Sequence, residues 1–423
     1  MPLRSKVPPV ILLVLLALSS SLTAQDSELY QARRKALLEK LNSAAALVPA
    51  AWEQELTTYR QGNNFYYLTG VEQPDLLLML SPEARNPETL YLPGRNPTEG
   101  SLSEAWIGEK LGPGKQTRDL TGIARAADRN LFPREFAGVS TTIDLLYFDF
   151  KPSVLDGPVS EAEVLLNELR RRYPHLKILP LSTLIDPMRM VKDSVEIRLL
   201  ERAIEITGRS LEETIPAIKP GMFEYEVEAL IEYGFHRRGG QRPGFPSIVG
   251  GGPNSVILHY NTNRRRIEPG DMVLMDVGAE FDYYTADITR TVPANGKFDA
   301  RQREIYKLVL KAQEAAIQAV KPGVTMAQVH KAAREVIRKA GYGDYFTHYI
   351  GHFLGMDVHD VGSREILLKP GMVVTVEPGI YLSEEALGIR IEDDVLVTAE
   401  GCRVLSASIP KSIARIESLM GEK

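Results

Sequence analysis

The sequence predicts an α/β protein of two domains, the second a duplicated half built around facing carboxylates. Three observations carry that expectation. Short β-branched or aromatic runs bounded by Pro and Gly alternate with longer, charged, leucine-bearing runs of helical character. Ile218-Lys219-Pro220-Gly221 recurs as Val320-Lys321-Pro322-Gly323, and Pro269-Gly270 recurs as Pro370-Gly371. At the spacing of that second echo, Val273 matches Val374, Gly278 matches Gly379 and Asp276 matches Glu377, so the repeat carries carboxylates with it.

The whole-chain numbers bound the answer. A length of 423 residues suits two domains, and 25% charged with 44% hydrophobic residues suits a globular protein with a real core. The formal net charge is −5 and no basic stripe occurs, which argues against a nucleic-acid partner. Residues 1–24 have the shape of a secretory signal peptide: Arg4 and Lys6, an apolar run from Val10 to Leu18 too short to span a bilayer, and a small-residue end at Ala24. Cleavage near Ala24 leaves no membrane span in the mature chain and predicts an exported protein, periplasmic or extracellular. The single cysteine, Cys402, excludes an internal disulfide and reads as a packed thiol.

Residues 25–185 form the first domain, of mixed α/β type. Residues 27–47 read as an exposed helix, and Phe65-Tyr66-Tyr67-Leu68, residues 76–80 and Leu90-Tyr91-Leu92 as strands between turns. Residues 145–150 follow as a strand, 161–172 as a helix, and Ile178-Leu179 as a last strand. Gly112-Pro113-Gly114-Lys115 lacks the Ser or Thr of a phosphate loop and reads as a turn. Residues 186–423 form the second domain. Asp193 with Glu196, and Asp299 with Gln302, have capping-box spacing, and open helices to about Ile215 and Val320.

The chemistry lies in two hairpins. Residues 273–277 read as a buried strand and residues 285–292 as its partner. A hairpin centred between Phe281 and Asp282 makes Asp276 and Asp287 face each other. Like charges so placed repel, and require a cation, a shared proton or water. In the second half, a hairpin centred between Glu384 and Glu385 sets Glu377 opposite Glu392. Four carboxylates in a poorly screened interior are offset by two divalent cations about 3.5–4 Å apart. Three of the seven histidines, His348, His352 and His359, fall in one glycine-containing stretch, where Gly351 and Gly355 argue against a helix. His259 fits a packed strand residue as well as a site residue. His175, His236 and His330 read as solvated.

Met-Asp-Val-Gly-Ala-Glu at 275–280, Ala-Asp-Ile-Thr-Arg-Thr at 286–291, Gly-His-Phe-Leu-Gly-Met-Asp-Val-His-Asp at 351–360, Val-Glu-Pro-Gly-Ile-Tyr at 376–381 and Gly-Ile-Arg-Ile-Glu-Asp-Asp at 388–394 resemble the pita-bread metallopeptidases. The match is closest to aminopeptidase P (Xaa-Pro aminopeptidase) and prolidase. A weaker likeness to that family's N-terminal domain starts at Tyr59-Arg60-Gln61-Gly62-Asn63-Asn64. The resemblance implies a pseudo-twofold pita-bread catalytic domain with Asp276 on one metal, Asp287 and Glu392 bridging two, and His352 with Glu377 on the second. Oxygen-rich ligation with one imidazole suits Mn²⁺, with Zn²⁺, Co²⁺ or Fe²⁺ as alternatives. It further implies Glu377 as proton shuttle, His259 and His359 against the substrate, Arg390 holding a carboxylate, and His348 and Tyr381 in the pocket. Proline-containing peptides are the implied substrates, cut before a proline whose nitrogen has no N–H for ordinary peptidases to grip. A homo-dimer or homo-tetramer is the implied assembly. The competing readings are an Xaa-Pro dipeptidase, which shares these motifs, a methionine aminopeptidase, a metal-free creatinase-like hydrolase, and a silent binding module on the same fold.

Overall fold

The computed structural model describes residues 24–52, 58–94, 110–150, 157 and 159–421. The expected signal peptide lies outside them except for Ala24. The chain divides into two compact units, residues up to Leu181 and residues from Ser182.

The first unit is one mixed sheet of β1 (Ala45–Pro49), β2 (Leu77–Leu80), β3 (Glu88–Leu92), β4 (Arg125–Asp128), β5 (Leu145–Phe148) and β6 (Lys177–Pro180), in the order β4-β3-β2-β1-β5-β6. Two of its elements differ from the sequence expectation. The predicted helix of residues 27–47 ends earlier, as α1 (Ala24–Leu41). Asn42 then turns the chain at φ 53°, and Ala45–Pro49 becomes a central strand paired with β2 on one side and β5 on the other. Such a doubly covered strand reads as an unbroken apolar run, which single-sequence periodicity does not separate from helix. Phe65–Leu68, expected as a strand, lies in α2 (Asn63–Thr69). Gly70 caps that helix at φ 65°, its N–H donating to the Tyr66 carbonyl. The buried Arg34 guanidinium donates to the Leu68 carbonyl at 2.8 Å while pairing with Glu88 at 3.0 Å. Capping and a buried cation thus override the β preference of three aromatics. The predicted helix at 161–172 is α3 (Glu161–Arg172), opened by a Ser160–Glu163 capping box.

The second unit contains the repeat. Each half brings a helix pair and short antiparallel sheets: α4 (Ser194–Thr214) and α5 (Glu224–Arg237) in the first, α6 (Ala300–Ala319) and α7 (Met326–Lys339) in the second. The predicted boxes Asp193–Glu196 and Asp299–Gln302 open α4 and α6. All four glycines of the Pro-Gly echoes, at 221, 270, 323 and 371, have φ between 82° and 98°. Those turns need left-handed backbone that Gly supplies without steric cost, so the echo marks equivalent turns.

In the first half β7 (Arg242–Pro243), β10 (Ala279–Phe281) and β11 (Tyr284–Thr285) form one sheet, and β8 (Ile248–Gly251), β9 (Met272–Val277) and β12 (Ile288–Pro293) another. In the second half β13 (Val373–Val376), β16 (Asp393–Val397) and β17 (Cys402–Val404) form one sheet, and β14 (Gly379–Leu382) pairs with β15 (Leu387–Arg390). The core between helices and sheets is aliphatic, with Val273, Met275, Val277, Val374, Val376 and Ile391 buried.

Candidate metal centre

The second hairpin has the expected register. Gly379 pairs with Arg390 and Val376 with Asp393, so Glu377 and Glu392 fall opposite each other where the two ladders meet. The first hairpin is centred one residue later than expected, which moves its pairing by two residues. Its turn is Asp282-Tyr283, both at positive φ (45° and 72°), and Glu280 pairs with Thr285. Asp276 therefore faces Thr289 instead of Asp287. A two-residue hairpin turn of that hand requires positive φ at both positions, and these residues supply it without glycine. Because the period of a strand is two, Asp287 stays on the same face as Thr289 and lies diagonal to Asp276. Gly278 makes the crossing possible, since a Cβ there would overlap the Ala286 carbonyl oxygen.

Ligand atoms of Asp287, His352 and Glu392 lie within 4.8 Å of one another. His352 Nε2 is 3.4 Å from Asp287 Oδ2 and 3.6 Å from Glu377 Oε1. The His352 Nδ1 contacts the Phe353 carbonyl at 3.1 Å. A carbonyl only accepts, so Nδ1 carries a proton, and Nε2 is the nitrogen turned toward the carboxylates, the one placed for ligation. Burial, then the neighbouring Asp276, Asp394 and Glu377 charges, push the Asp287 carboxyl well above its ordinary range. Burial, then Asp287, Glu377 and Asp276, do the same to Glu392. Glu377 is also raised by burial, with His352 and Arg390 opposing. The buried oxygens Asp276 Oδ1 and Glu392 Oε1 have no hydrogen-bond partner. Orphaned acceptors converging on one imidazole nitrogen fit divalent cations, which satisfy them and remove the repulsion together.

Arg390 braces the cluster. Its NH2 donates to Asp276 Oδ2 at 2.6 Å, Nε to Thr289 Oγ1 at 3.0 Å and NH1 to the Tyr381 hydroxyl at 3.0 Å. Thr289 in turn donates to Glu392 Oε2 at 2.7 Å. Burial and the Arg390 charge push the His348 pKa down to about 3, so the ring is neutral. Its Nδ1–H donates to the Tyr349 carbonyl at 2.7 Å, which leaves Nε2 to accept the Tyr381 O–H at 2.9 Å. Asp276, Arg390, Tyr381 and His348 thus form one oriented chain.

His352 packs edge-to-face on His359, ring centroids 4.1 Å apart. His359 and His259 are exposed into a cavity of about 620 Å³ shared with Asp276, Glu377 and Arg390. Burial, then His352 and His259, lower the His359 pKa. His259 sits in a turn rather than a strand. His236 and His175 are exposed as expected, His175 with a ring nitrogen 2.8 Å from the Ser140 carbonyl oxygen, whereas His330 is half-buried and stacks on Tyr349 with ring centroids 4.7 Å apart.

Sequence reasoning missed the layer behind these residues. Arg290, fully buried, donates to the Glu392 carbonyl at 2.5 Å and pairs with Asp393 at 2.8 Å, tying β12 to β16 across the two halves. Asp394 Oδ2 accepts the Asp287 N–H at 3.2 Å. Asp360 is gripped by Arg189 at 2.6 Å and Lys192 at 3.0 Å, beneath the loop that carries His352 and His359. The Glu-Asp-Asp run was the available signal, because alternate residues on a strand face opposite sides and only one of two neighbouring acids can join the cluster.

A buried carboxylate cluster with one imidazole, held between two repeated α/β halves, defines the class as a metal-dependent hydrolase. The profile of metallopeptidase family M24 matches residues 198–399, and that of the aminopeptidase P N-terminal domain matches residues 30–144. An Xaa-Pro aminopeptidase of Haemophilus influenzae is 37% identical over 396 residues, covering 86% of this chain and 88% of that one. Aminopeptidase P from Escherichia coli, solved with the inhibitor Pro-Leu, superposes with a TM-score of 0.84 at 32% identity, covering 93% of this chain and 98% of that chain. An Xaa-Pro dipeptidase of Pyrococcus furiosus is 41% identical over 226 residues, but covers only 52% of this chain. The chain belongs to metallopeptidase family M24, the pita-bread metallopeptidases.

Proposed function

We propose that the chain is an Xaa-Pro aminopeptidase, a hydrolase that removes the N-terminal residue from peptides with proline in second position. One observation carries the choice within the family: the likeness to an Xaa-Pro aminopeptidase runs through both units, whereas the likeness to an Xaa-Pro dipeptidase covers about half the chain.

Asp276, Asp287, His352, Glu377 and Glu392 would hold the ions, with Asp287, His352 and Glu392 offering ligand atoms within 4.8 Å of one another. Divalent ions there, Mn²⁺ by the oxygen-rich donor set, supply the Lewis acidity that makes water a nucleophile near neutral pH. Glu377 would take the proton from the attacking water and pass it to the leaving proline nitrogen. His259 and His359 face the cavity, where they bind the peptide and stabilise charge on the carbonyl oxygen. Arg390 fixes Asp276 and, through Tyr381, the neutral His348 that borders the pocket.

The apolar run from Val10 to Leu18 behind Arg4 and Lys6 supports export with cleavage near Ala24. Among the described residues no helix is long and apolar enough to cross a membrane. The family resemblance supports a homo-dimer or homo-tetramer, tested by sedimentation. The functional test is cleavage of an Xaa-Pro-Xaa tripeptide by purified enzyme with Mn²⁺. Release of the first residue is expected, and hydrolysis of Xaa-Pro dipeptides alone would assign a dipeptidase instead.

A further inference from the structure

We propose that Glu224 is the positioning residue for His259. The inference rests on the reading above that His259 touches the peptide.

Glu224 opens α5 and is fully buried. Its Oε1 accepts from the Gly251 N–H at 2.8 Å and the Asn254 amide at 2.9 Å. Its Oε2 accepts from the Tyr260 hydroxyl at 2.8 Å and the Arg265 N–H at 2.7 Å. The Glu224 N–H donates to the Arg265 carbonyl at 3.0 Å. One carboxylate therefore holds both stems of the segment between Gly251 and Arg265, and His259 lies on that segment immediately before Tyr260.

The segment has little freedom left. On its far side the Gly388 N–H donates to Ser255 Oγ at 2.8 Å, and a Cβ on Gly388 would overlap the Ser255 carbonyl. Leu258 and Tyr260, which flank His259, pack against Ile248, Leu274 and Tyr381. The His259 side chain is exposed and lines the cavity. Charge-assisted bonds to a buried carboxylate are short and directional, and the first turn of a helix favours the negative charge. A buried carboxylate is costly unless its acceptor sites are filled, and here four donors from one loop fill them. Three of those donors are nitrogens that cannot become acceptors unless Asn254 flips. A Gln at 224 would aim its own NH₂ at one of these groups and splay a stem. His259 would then move within the cavity while Asp276, Asp287, His352, Glu377 and Glu392, which sit on other segments, stay in place.

The experiment compares E224Q, Y260F, H259A and the double variants E224Q/H259A and Y260F/H259A as Mn²⁺-loaded enzymes on an Xaa-Pro-Xaa tripeptide, with bound metal measured on each. Misplacing a catalytic group by about 1 Å can cost up to ~100-fold, so E224Q should lower kcat/KM by about 10-fold or more at unchanged metal content. In the H259A background the same change should cost less than about 2-fold, because coupled residues are non-additive. Y260F keeps the ring packed and removes one of the four bonds. It should show a smaller loss that also vanishes with H259A, and it decides the matter where E224Q does not fold. Full activity in both E224Q and Y260F overturns the proposal, as does an equal loss with and without His259. If H259A itself matches the parent, His259 does not touch the peptide, and the site reading falls together with this inference. Loss with E224Q only through lost metal would make Glu224 a determinant of ion binding and refute the positioning role.

Discussion

Replacing Arg390 with Met tests the electrostatic bracing of the centre. The guanidinium is 3% exposed and lies 2.6 Å from Asp276 Oδ2, whose side chain is 13% exposed. It is the cation in direct contact with the cluster, donating also to Thr289 and Tyr381. Removing one partner of a buried ion pair strands the other, at a cost of about 3–5 kcal/mol. A domain of this size shifts its melting point by about 2–4 °C per kcal/mol, so R390M should melt roughly 6–20 °C below the parent. The melt is measured with chelator present, where no added ion competes with the guanidinium for Asp276. R390K should recover part of the loss, because it restores charge but offers no planar fork to serve Asp276, Thr289 and Tyr381 at once. An R390M melt within about 2 °C of the parent would refute the bracing.

Three further outcomes follow from the same geometry. D287N or E392Q should abolish both metal retention and turnover, measured by elemental analysis and peptide release. Full turnover in either would remove that residue from the centre. Burial raises the Asp360 carboxyl, but Lys192 and Arg189 outweigh it and hold the group below its ordinary value of 3.8. Its contribution to stability is therefore complete above about pH 4 and disappears as pH falls through the lower folded-state value. Acid unfolding of D360N should accordingly be shallower below pH 4 than that of the parent, and identical acid limbs would count against the clamp. G278A should destabilise by about 1–3 kcal/mol or more in urea, because the added Cβ meets the Ala286 carbonyl oxygen rather than a flexible side chain.

Local signals in the sequence were read correctly where they decide structure locally. The Asp193–Glu196 and Asp299–Gln302 boxes open helices as predicted, since capping depends on residues three apart. The pairing of Glu377 with Glu392 was legible because the strands on both sides of that break share one register. The centre of the Asp276 hairpin was misplaced by one residue because its left-handed turn uses Asp282 and Tyr283, not glycine; Asp tolerates that conformation, so a weak cue was present. Phe65–Leu68 was misassigned because a carbonyl clamp from Arg34, distant in sequence, cannot be read from local pattern. Glu224, Asp360 and Arg290 were invisible for the same reason. The contacts that define their roles lie 27 or more residues away, and as isolated charges they resemble any solvated Asp, Glu or Arg.

The central claim is that carboxylates from two repeated halves converge because divalent cations hold them together. The most direct measurement is the metal content of active enzyme after equilibrium dialysis, paired with activity before and after chelation. Two ions per chain are expected, with activity lost on chelation and regained with Mn²⁺. Undiminished cleavage by enzyme that retains no ion would contradict that claim.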